Sequence, residues 1–162
     1  MAQDPENTLI LTLDTGAVTI KLRPDVAPNH VARIKELARE GFYDEVVFHR
    51  VIPGFMAQGG DPTGTGMGGS DKPNLKQEFS DVHHGRGVCS MARASNPNSA
   101  NSQFFICFDD AGFLDRQYTV WGEVVDGMDA VDALPKGEPP KKPGRIITAR
   151  VAADLTGEGS PS

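Results

Sequence analysis

Between residues 8 and 22 the chain alternates apolar and polar side chains with a period of two, twice over, and no other feature constrains its fold as much. In residues 8–14, Leu9, Leu11 and Leu13 alternate with Thr8, Ile10 and Thr12; in residues 17–22, Val18, Ile20 and Leu22 alternate with Thr19 and Lys21. Successive side chains of a strand point to opposite faces, so each run offers one apolar face. Thr15-Gly16 between them reads as the turn of a hairpin. A hairpin with one apolar face needs partners to bury it, and strand-like runs at residues 46–52, 88–92, 103–108, 119–125 and 146–155 can supply them. Only two helices are expected beside these strands. In the first, Pro28 suits the opening turn, Val31, Ile34, Leu37 and Ala38 form the inward stripe, and Arg33, Lys35, Glu36, Arg39 and Glu40 fill the other side. Gly41 then provides a left-handed stop. Met128, Val131 and Leu134, three apart, mark a short second helix ending near Pro135. Many short strands divided by turns, in a chain with 18 Gly and 12 Pro, imply a mainly β fold, either a closed antiparallel barrel or a sandwich. Its 162 residues fit one domain spanning 1–162, with an ordered core over about 8–155.

Charge and composition exclude several roles. A net charge of −6 argues against nucleic-acid binding, which relies on cations to neutralise phosphates. Lys136, Lys141, Lys142 and Arg145 make a basic cluster, but the intervening Pro139, Pro140 and Pro143 favour a solvated loop. Cys89 and Cys107 both sit in apolar stretches and suit a reducing compartment, with one bridge between them left open. The N-terminal MAQDPENT lacks the charged and apolar regions of a signal peptide, and no segment reaches the length of a membrane span. A cytoplasmic monomer is the expectation.

Three chemistry-bearing patterns carry little. Residues 64–69 match G-x-G-x-x-G, but Asp61-Pro62 precedes them and Ser70-Asp71-Lys72-Pro73 follows. Neither the strand nor the helix that aims amides at a pyrophosphate is present, so a loop is the simpler reading. His83 and His84, with His30, His49 and Cys89, show no zinc-ligand spacing; residues 81–86 read as a polar turn, and no metal or cofactor is expected. Ser90, Ser99 or Ser102 could pair with a histidine, but no nucleophile elbow accompanies them. The long loops at residues 62–74 and 95–102 are of the kind that often carries function.

The segment VFHRVIPGFMAQGGD, residues 47–61, is harder to set aside. Taken alone, Arg50 could be a surface residue of a strand, and Phe55 and Met56 could be core. Yet SQFFI at residues 102–106 again sets an amide beside paired aromatics, and GFLD at 112–115 adds another aromatic-aliphatic pair in a loop. With SMARA at 90–94 and VWGEVVDGMDAVDAL at 120–134, these blocks resemble the cyclophilin family of peptidyl-prolyl cis-trans isomerases, in its order and spacing, from Thr8 to Leu155.

That resemblance implies a closed eight-stranded antiparallel β-barrel capped by two α-helices. It implies isomerisation of X–Pro bonds in proline-containing peptides and in unfolded or folding proteins, with a proline-peptide binding module of weak turnover as the alternative. By position, Arg50 would be the catalytic residue. Phe55, Met56, Phe105 and Leu114 would receive the proline ring, with His49 bordering them and Gln58 hydrogen-bonded near Arg50. Ala92, Arg93 and Gln103 would line the groove for the substrate backbone, and Phe113 and Tyr118 its rim. Some positions depart from well-known members: Phe113 replaces a Trp common in eukaryotes, which implies reduced affinity for cyclosporin, and Trp121 does not replace it. Tyr118 stands where His is common and Arg93 where Asn is frequent, features closer to bacterial members. The chemistry fits the absence of a nucleophile, because rotating an amide breaks no bond and needs only a donor for the prolyl nitrogen and an anchor for the ring.

Overall fold

The computed structural model describes residues 5–64, 68–93, 96, 98–137 and 140–156. Eight strands form one antiparallel sheet: β1 (Thr8–Leu13), β2 (Gly16–Leu22), β3 (Arg50–Ile52), β4 (Met56–Gly59), β5 (Val88–Met91), β6 (Phe104–Cys107), β7 (Val120–Asp126) and β8 (Ile146–Val151). Their order is β3-β4-β6-β5-β7-β2-β1-β8. The expected hairpin forms, Leu9 facing Ile20 and Leu11 facing Val18, and its alternating residues are buried.

The sheet curls until its two ends meet. No ladder joins β3 to β8; the segment before β3 does it, with a bridge between Val47 and Arg145. Around that bridge Phe48 N donates to Gly144 O at 2.8 Å and Ile146 N to Val46 O at 2.8 Å. This is why the strand expected over residues 46–52 is reduced to Arg50–Ile52. Its first residues pair with the far end of the sheet instead of with β4. β4 itself has no counterpart among the sequence-derived strands. Its Met56-Ala57-Gln58-Gly59 shows no alternation in burial because small residues sit against the core and larger ones against the outer surface.

Inside the curl, Phe104 is the centre of the packing. Tyr43, Phe48 and Trp121 all meet its ring edge-on, at centroid distances of 5.5, 6.2 and 5.6 Å. The buried Tyr43 hydroxyl, its pKa pushed up by burial, donates to Ser102 O at 2.8 Å. Trp121 is thus core, in keeping with its not standing in for a groove residue.

Helix α1 (Pro28–Arg39) packs over β7 and β8, and α2 (Met128–Asp132) over β2. α1 starts with Pro28 and stops at Gly41, whose φ of +74° is left-handed, as the sequence implies. Its expected polar side needs one correction: Arg33 is buried. Its Nη2 donates to Pro73 O at 2.7 Å and its Nη1 to Asn101 O at 3.3 Å, so the two long loops hang on this side chain. The helix lacks a side-chain cap at Ala27. Glu78, far along the chain, supplies one, accepting from Asn29 N, His30 N and His30 Nδ1 at 3.2, 2.9 and 2.6 Å.

The last strand also ends early. β1 begins at Thr8 and its final partner on β8 is Val151, so beyond it there is no edge to pair with. Residues expected to extend the strand to 155 form a third short helix, α3 (Ala152–Thr156), tied by Asp154 to Arg39 Nε at 3.0 Å. Two α-helices were expected and three are present among the described residues.

Glu78 neutralises orphan donors that no residue near α1 can reach. Replacing it with Ala is expected to cost about 1–3 kcal/mol, read as a lower urea midpoint with unchanged slope.

Candidate active site

The strand pleat sorts neighbouring residues to opposite faces. Phe104, Ile106, Val51, Ala57 and Cys89 turn into the core, whereas Met56, Phe105 and Cys107 form a second cluster with Ala111 and Leu114 outside the curl. Arg50 pairs with Gln58 across β3 and β4, Gln58 with Phe105 across β4 and β6, and Phe105 with Ser90 across β6 and β5. One cross-strand row therefore carries the guanidinium, an amide and an aromatic ring side by side.

Beside this row lies a cavity of about 140 Å³ lined by Arg50, Phe55, Met56, Gln58, Ala92, Arg93, Phe105, Leu114 and Tyr118. Its floor is apolar and its edge cationic. Arg50 Nη1 donates to Gln58 Oε1 at 3.3 Å, Gln58 Nε2 to Gln103 Oε1 at 3.0 Å, and Gln103 Nε2 to Gly68 O at 2.9 Å. Gly68 N donates in turn to the buried carboxylate of Asp61 at 3.0 Å, which also takes Thr63 N at 2.8 Å. This chain of amides fixes which face of each side chain is acceptor and holds the guanidinium toward the cavity. Gly60, next to Asp61, has φ of +98°, and a Cβ there would lie 2.4 Å from Ser102 O, so the turn under the relay admits only glycine.

Tyr118 packs edge-on against Phe105 at 5.6 Å, and the Arg93 guanidinium lies 4.5 Å over the Tyr118 ring while donating from Nη2 to Gln117 O at 2.6 Å. Phe113 is 71% exposed and leans on Phe55 at 5.5 Å. Of the residues anticipated from sequence, nine line this cavity together, and Gln103 joins them through the amide relay. Phe113 stands at the rim without lining it. His49 is buried, is not among the lining residues of this cavity or its neighbour, and its Nδ1 has no hydrogen-bond partner.

A second cavity of about 480 Å³ adjoins the first and shares Gln58, Ala92 and Arg93 with it. The two long loops form its walls, pinned together by Asn101, whose Oδ1 accepts from Ser70 N and Oγ at 2.9 and 2.6 Å. Residues 65–67 of the G-x-G-x-x-G segment fall outside the described part; Gly68 and Gly69 are wall.

No local pattern in the chain signals what supports Phe105 from beneath. His84, assigned above to a polar turn, is fully buried with its ring stacked on Phe105 at 6.3 Å. Asp115 accepts from His84 N at 2.7 Å and faces His84 Nδ1 at 3.0 Å, while His84 Nε2 lies 3.0 Å from Ser90 Oγ. Acid, imidazole and hydroxyl in line look like a hydrolytic triad. Ser90 is nevertheless fully buried and its hydroxyl is 2.9 Å from Thr119 O, so no acyl group can reach it. Asp115 also faces His83 Nδ1 at 2.7 Å; these bonds, that from His83 first, pull its pKa down to about 2. The two cysteines are free and stand in separate clusters, Cys89 in the core and Cys107 under the cavity. Burial pushes both thiols up, Cys107 to about 12.

A small cavity with an apolar floor and a cation at its edge, joined to a larger polar groove, makes up the candidate site. Residues 8–151 match the family model of the cyclophilin type peptidyl-prolyl cis-trans isomerase. A probable peptidyl-prolyl cis-trans isomerase of Brucella suis is 55% identical, covering 94% of this chain and 86% of its own. The isomerase ppi1 of Schizosaccharomyces pombe is 46% identical over 73% of this chain and 78% of its own. The crystal structure of cyclophilin AquaCyp293 from Hirschia baltica superposes with a TM-score of 0.90 at 33% identity, covering 98% of this chain and 78% of that one. A Cryptosporidium parvum cyclophilin type isomerase, crystallised in the presence of the dipeptide Ala-Pro, gives 0.83 at 30% identity, over 89% of this chain and 98% of that one. The chain belongs to the cyclophilin-type peptidyl-prolyl cis-trans isomerases.

Burial, the largest cause for each, lowers the pKa of His30, His49 and His84, whereas Asp115 raises that of the exposed His83. Below about pH 6.5 the unfolded chain takes up protons that the three buried imidazoles refuse, so their contribution, whole above that pH, is lost as pH falls. His83 acts oppositely, its contribution being lost as pH rises through its raised value. With three groups against one exposed one, the urea midpoint is expected to drop between about pH 7.5 and 5.5, and His84→Gln to flatten the drop.

Proposed function

We propose that Arg50 drives the isomerisation by donating to the prolyl nitrogen of an X–Pro bond whose ring occupies the small cavity. The observation that carries this is the placement of the guanidinium at the edge of an apolar pocket, held there by Gln58 at 3.3 Å.

The planar amide is held by a barrier of about 18–20 kcal/mol, because its nitrogen lone pair is shared with the carbonyl. Twisting the bond returns the lone pair to the nitrogen. A donor aimed at that nitrogen binds the twisted form more strongly than either planar isomer, which is the requirement for acceleration. Met56, Phe105 and Leu114 grip the ring, Gln103 and the backbone near Ala92 hold the flanking chain, and the carbonyl side turns. Cutting tens of seconds to milliseconds takes about four decades, or ~5.5 kcal/mol, within reach of one charge-assisted hydrogen bond plus anchoring. Gln58 serves as a positioning residue, fixing the guanidinium plane.

The substrates are proline-containing peptides and folding chains, met by a monomer in a reducing compartment such as the cytoplasm, where the free thiols of Cys89 and Cys107 are stable. Phe113 offers an exposed aromatic face at the rim rather than an indole, so cyclosporin binds weakly.

Arg50→Ala is expected to lower kcat/KM for an Ala-Pro peptide about 100-fold while changing its Kd by less than about threefold, measured by NMR exchange and titration. Equal losses in both would refute a role specific to the twisted state. Phe113→Trp is expected to tighten cyclosporin binding by about tenfold in calorimetry, since an indole adds area and an N–H donor.

A further inference from the structure

The short 3-10 turn Gly112–Leu114 carries two apolar side chains of the site: Leu114 in the wall of the small cavity, and Phe113 at its rim against Phe55. A single turn of this kind has little stiffness of its own, so what fastens it from outside decides where those side chains stand.

His83 fastens both ends. Its Nε2 lies 3.0 Å from Asp110 Oδ1, before the turn, and its Nδ1 lies 2.7 Å from Asp115 Oδ2, after it. Both carboxylate residues belong to the frame of the turn: Gly112 N donates to Asp110 Oδ1 at 2.9 Å, and Asp115 N to Gly112 O at 3.0 Å. The imidazole also lies close against the Gly112 backbone, where a Cβ would stand 2.9 Å from His83 Cε1. Gly112 is needed there for room, since its backbone is not left-handed.

The strap depends on protons. A carboxylate only accepts, so an imidazole set between two of them fills both contacts only when both nitrogens carry hydrogen. A neutral ring has one N–H, and its other nitrogen turns a lone pair toward the second carboxylate. The groups that face the ring are Asp115 and Asp110 on the loop and the buried His84 beside it. Asp115, and after it Asp110, raises the pKa of His83, whereas burial lowers that of His30, His49 and His84. At and above neutral pH, His83 is therefore the histidine that changes charge.

We propose that His83 is a positioning residue of the site: its imidazolium straps both ends of the Gly112–Leu114 turn and holds Leu114 and Phe113 toward the substrate's proline ring, and the neutral imidazole releases one end. This rests on the isomerase reading above and adds to it a proton-controlled apolar wall. The wall touches the ring in planar and twisted states alike, so the strap acts on KM rather than on kcat. The contact is complete below the raised pKa of His83 and is lost as pH rises through it.

The experiment measures kcat and KM for a blocked Ala-Pro peptide without titratable groups by NMR exchange, and its Kd by titration, from about pH 6.5 to 8.5. Turnover at about pH 6.5 tests the isomerase reading alone. The change of KM and Kd with pH tests the strap, and Kd reads it even without turnover. KM is expected to rise about threefold over this range with kcat nearly constant, a size suited to exposed ion pairs. His83→Gln is expected to keep the high KM at every pH, and His83→Arg, charged throughout, the low one. Nitrogen-15 spectra of His83 are expected to show two protonated ring nitrogens at low pH and a midpoint above about 6.5. A KM and Kd flat with pH in the unaltered enzyme overturn the proposal, as does a pH dependence undiminished in His83→Gln. Should either variant fold poorly, the pH profile of the unaltered enzyme and the His83 midpoint still decide.

Discussion

Two consecutive phenylalanines cannot face the same way in a strand, and the site depends on that. Phe104 enters the core and gathers Tyr43, Phe48 and Trp121 around its edges. Phe105 is thereby forced outward, next to Gln58 and Arg50 on the same row. Core packing fixes the backbone of β6 to within the tolerance of close-packed rings. The outward ring inherits that rigidity, and with it the floor of the small cavity.

The floor is also propped from the side. His84 lies flat on Phe105, and Asp115, which binds it, sits next to Leu114 on the pocket wall. On the opposite flank, Arg33 ties both long loops to α1, and Glu78, a few residues beyond the first of them, caps that helix. The walls of the larger cavity are therefore fastened to the barrel by buried, charge-assisted bonds rather than by secondary structure. A loop without strands or helices can hold a binding surface only if its polar groups are satisfied in some such way.

Much of this was legible in the chain. The period-two alternation of residues 8–22, the stripe of Val31, Ile34, Leu37 and Ala38, and the stop at Gly41 follow from local rules and stand as read. The residues of the small cavity were legible through a resemblance spread over several blocks. What escaped depended on partners distant in sequence. β3 was shortened because residues 46–48 close the barrel against 144–146, and β8 because β1 offers it no further edge. Arg33 looked like a solvent residue because nothing near it in sequence reveals that Pro73 and Asn101 carbonyls await it. His84 looked like turn for the same reason: Ser90 and Asp115 lie on other elements.

The sequence by itself determined a mainly β fold opened by the hairpin of residues 8–22, with one helix of clear register; the barrel, and a site built of a cation and an apolar pocket without a nucleophile, were implied by its resemblance to the cyclophilin family. The hairpin and the helix rest on residue type and short-range spacing, which a chain carries whether folded or not. Only the tertiary structure decided that Arg50, Gln58 and Gln103 form one relay, that His49 is buried, and that Arg93 stands over Tyr118 between two cavities. Those facts arise when strand pairing and loop fastening bring remote residues within hydrogen-bonding distance, at ranges over which the sequence has no local periodicity to report.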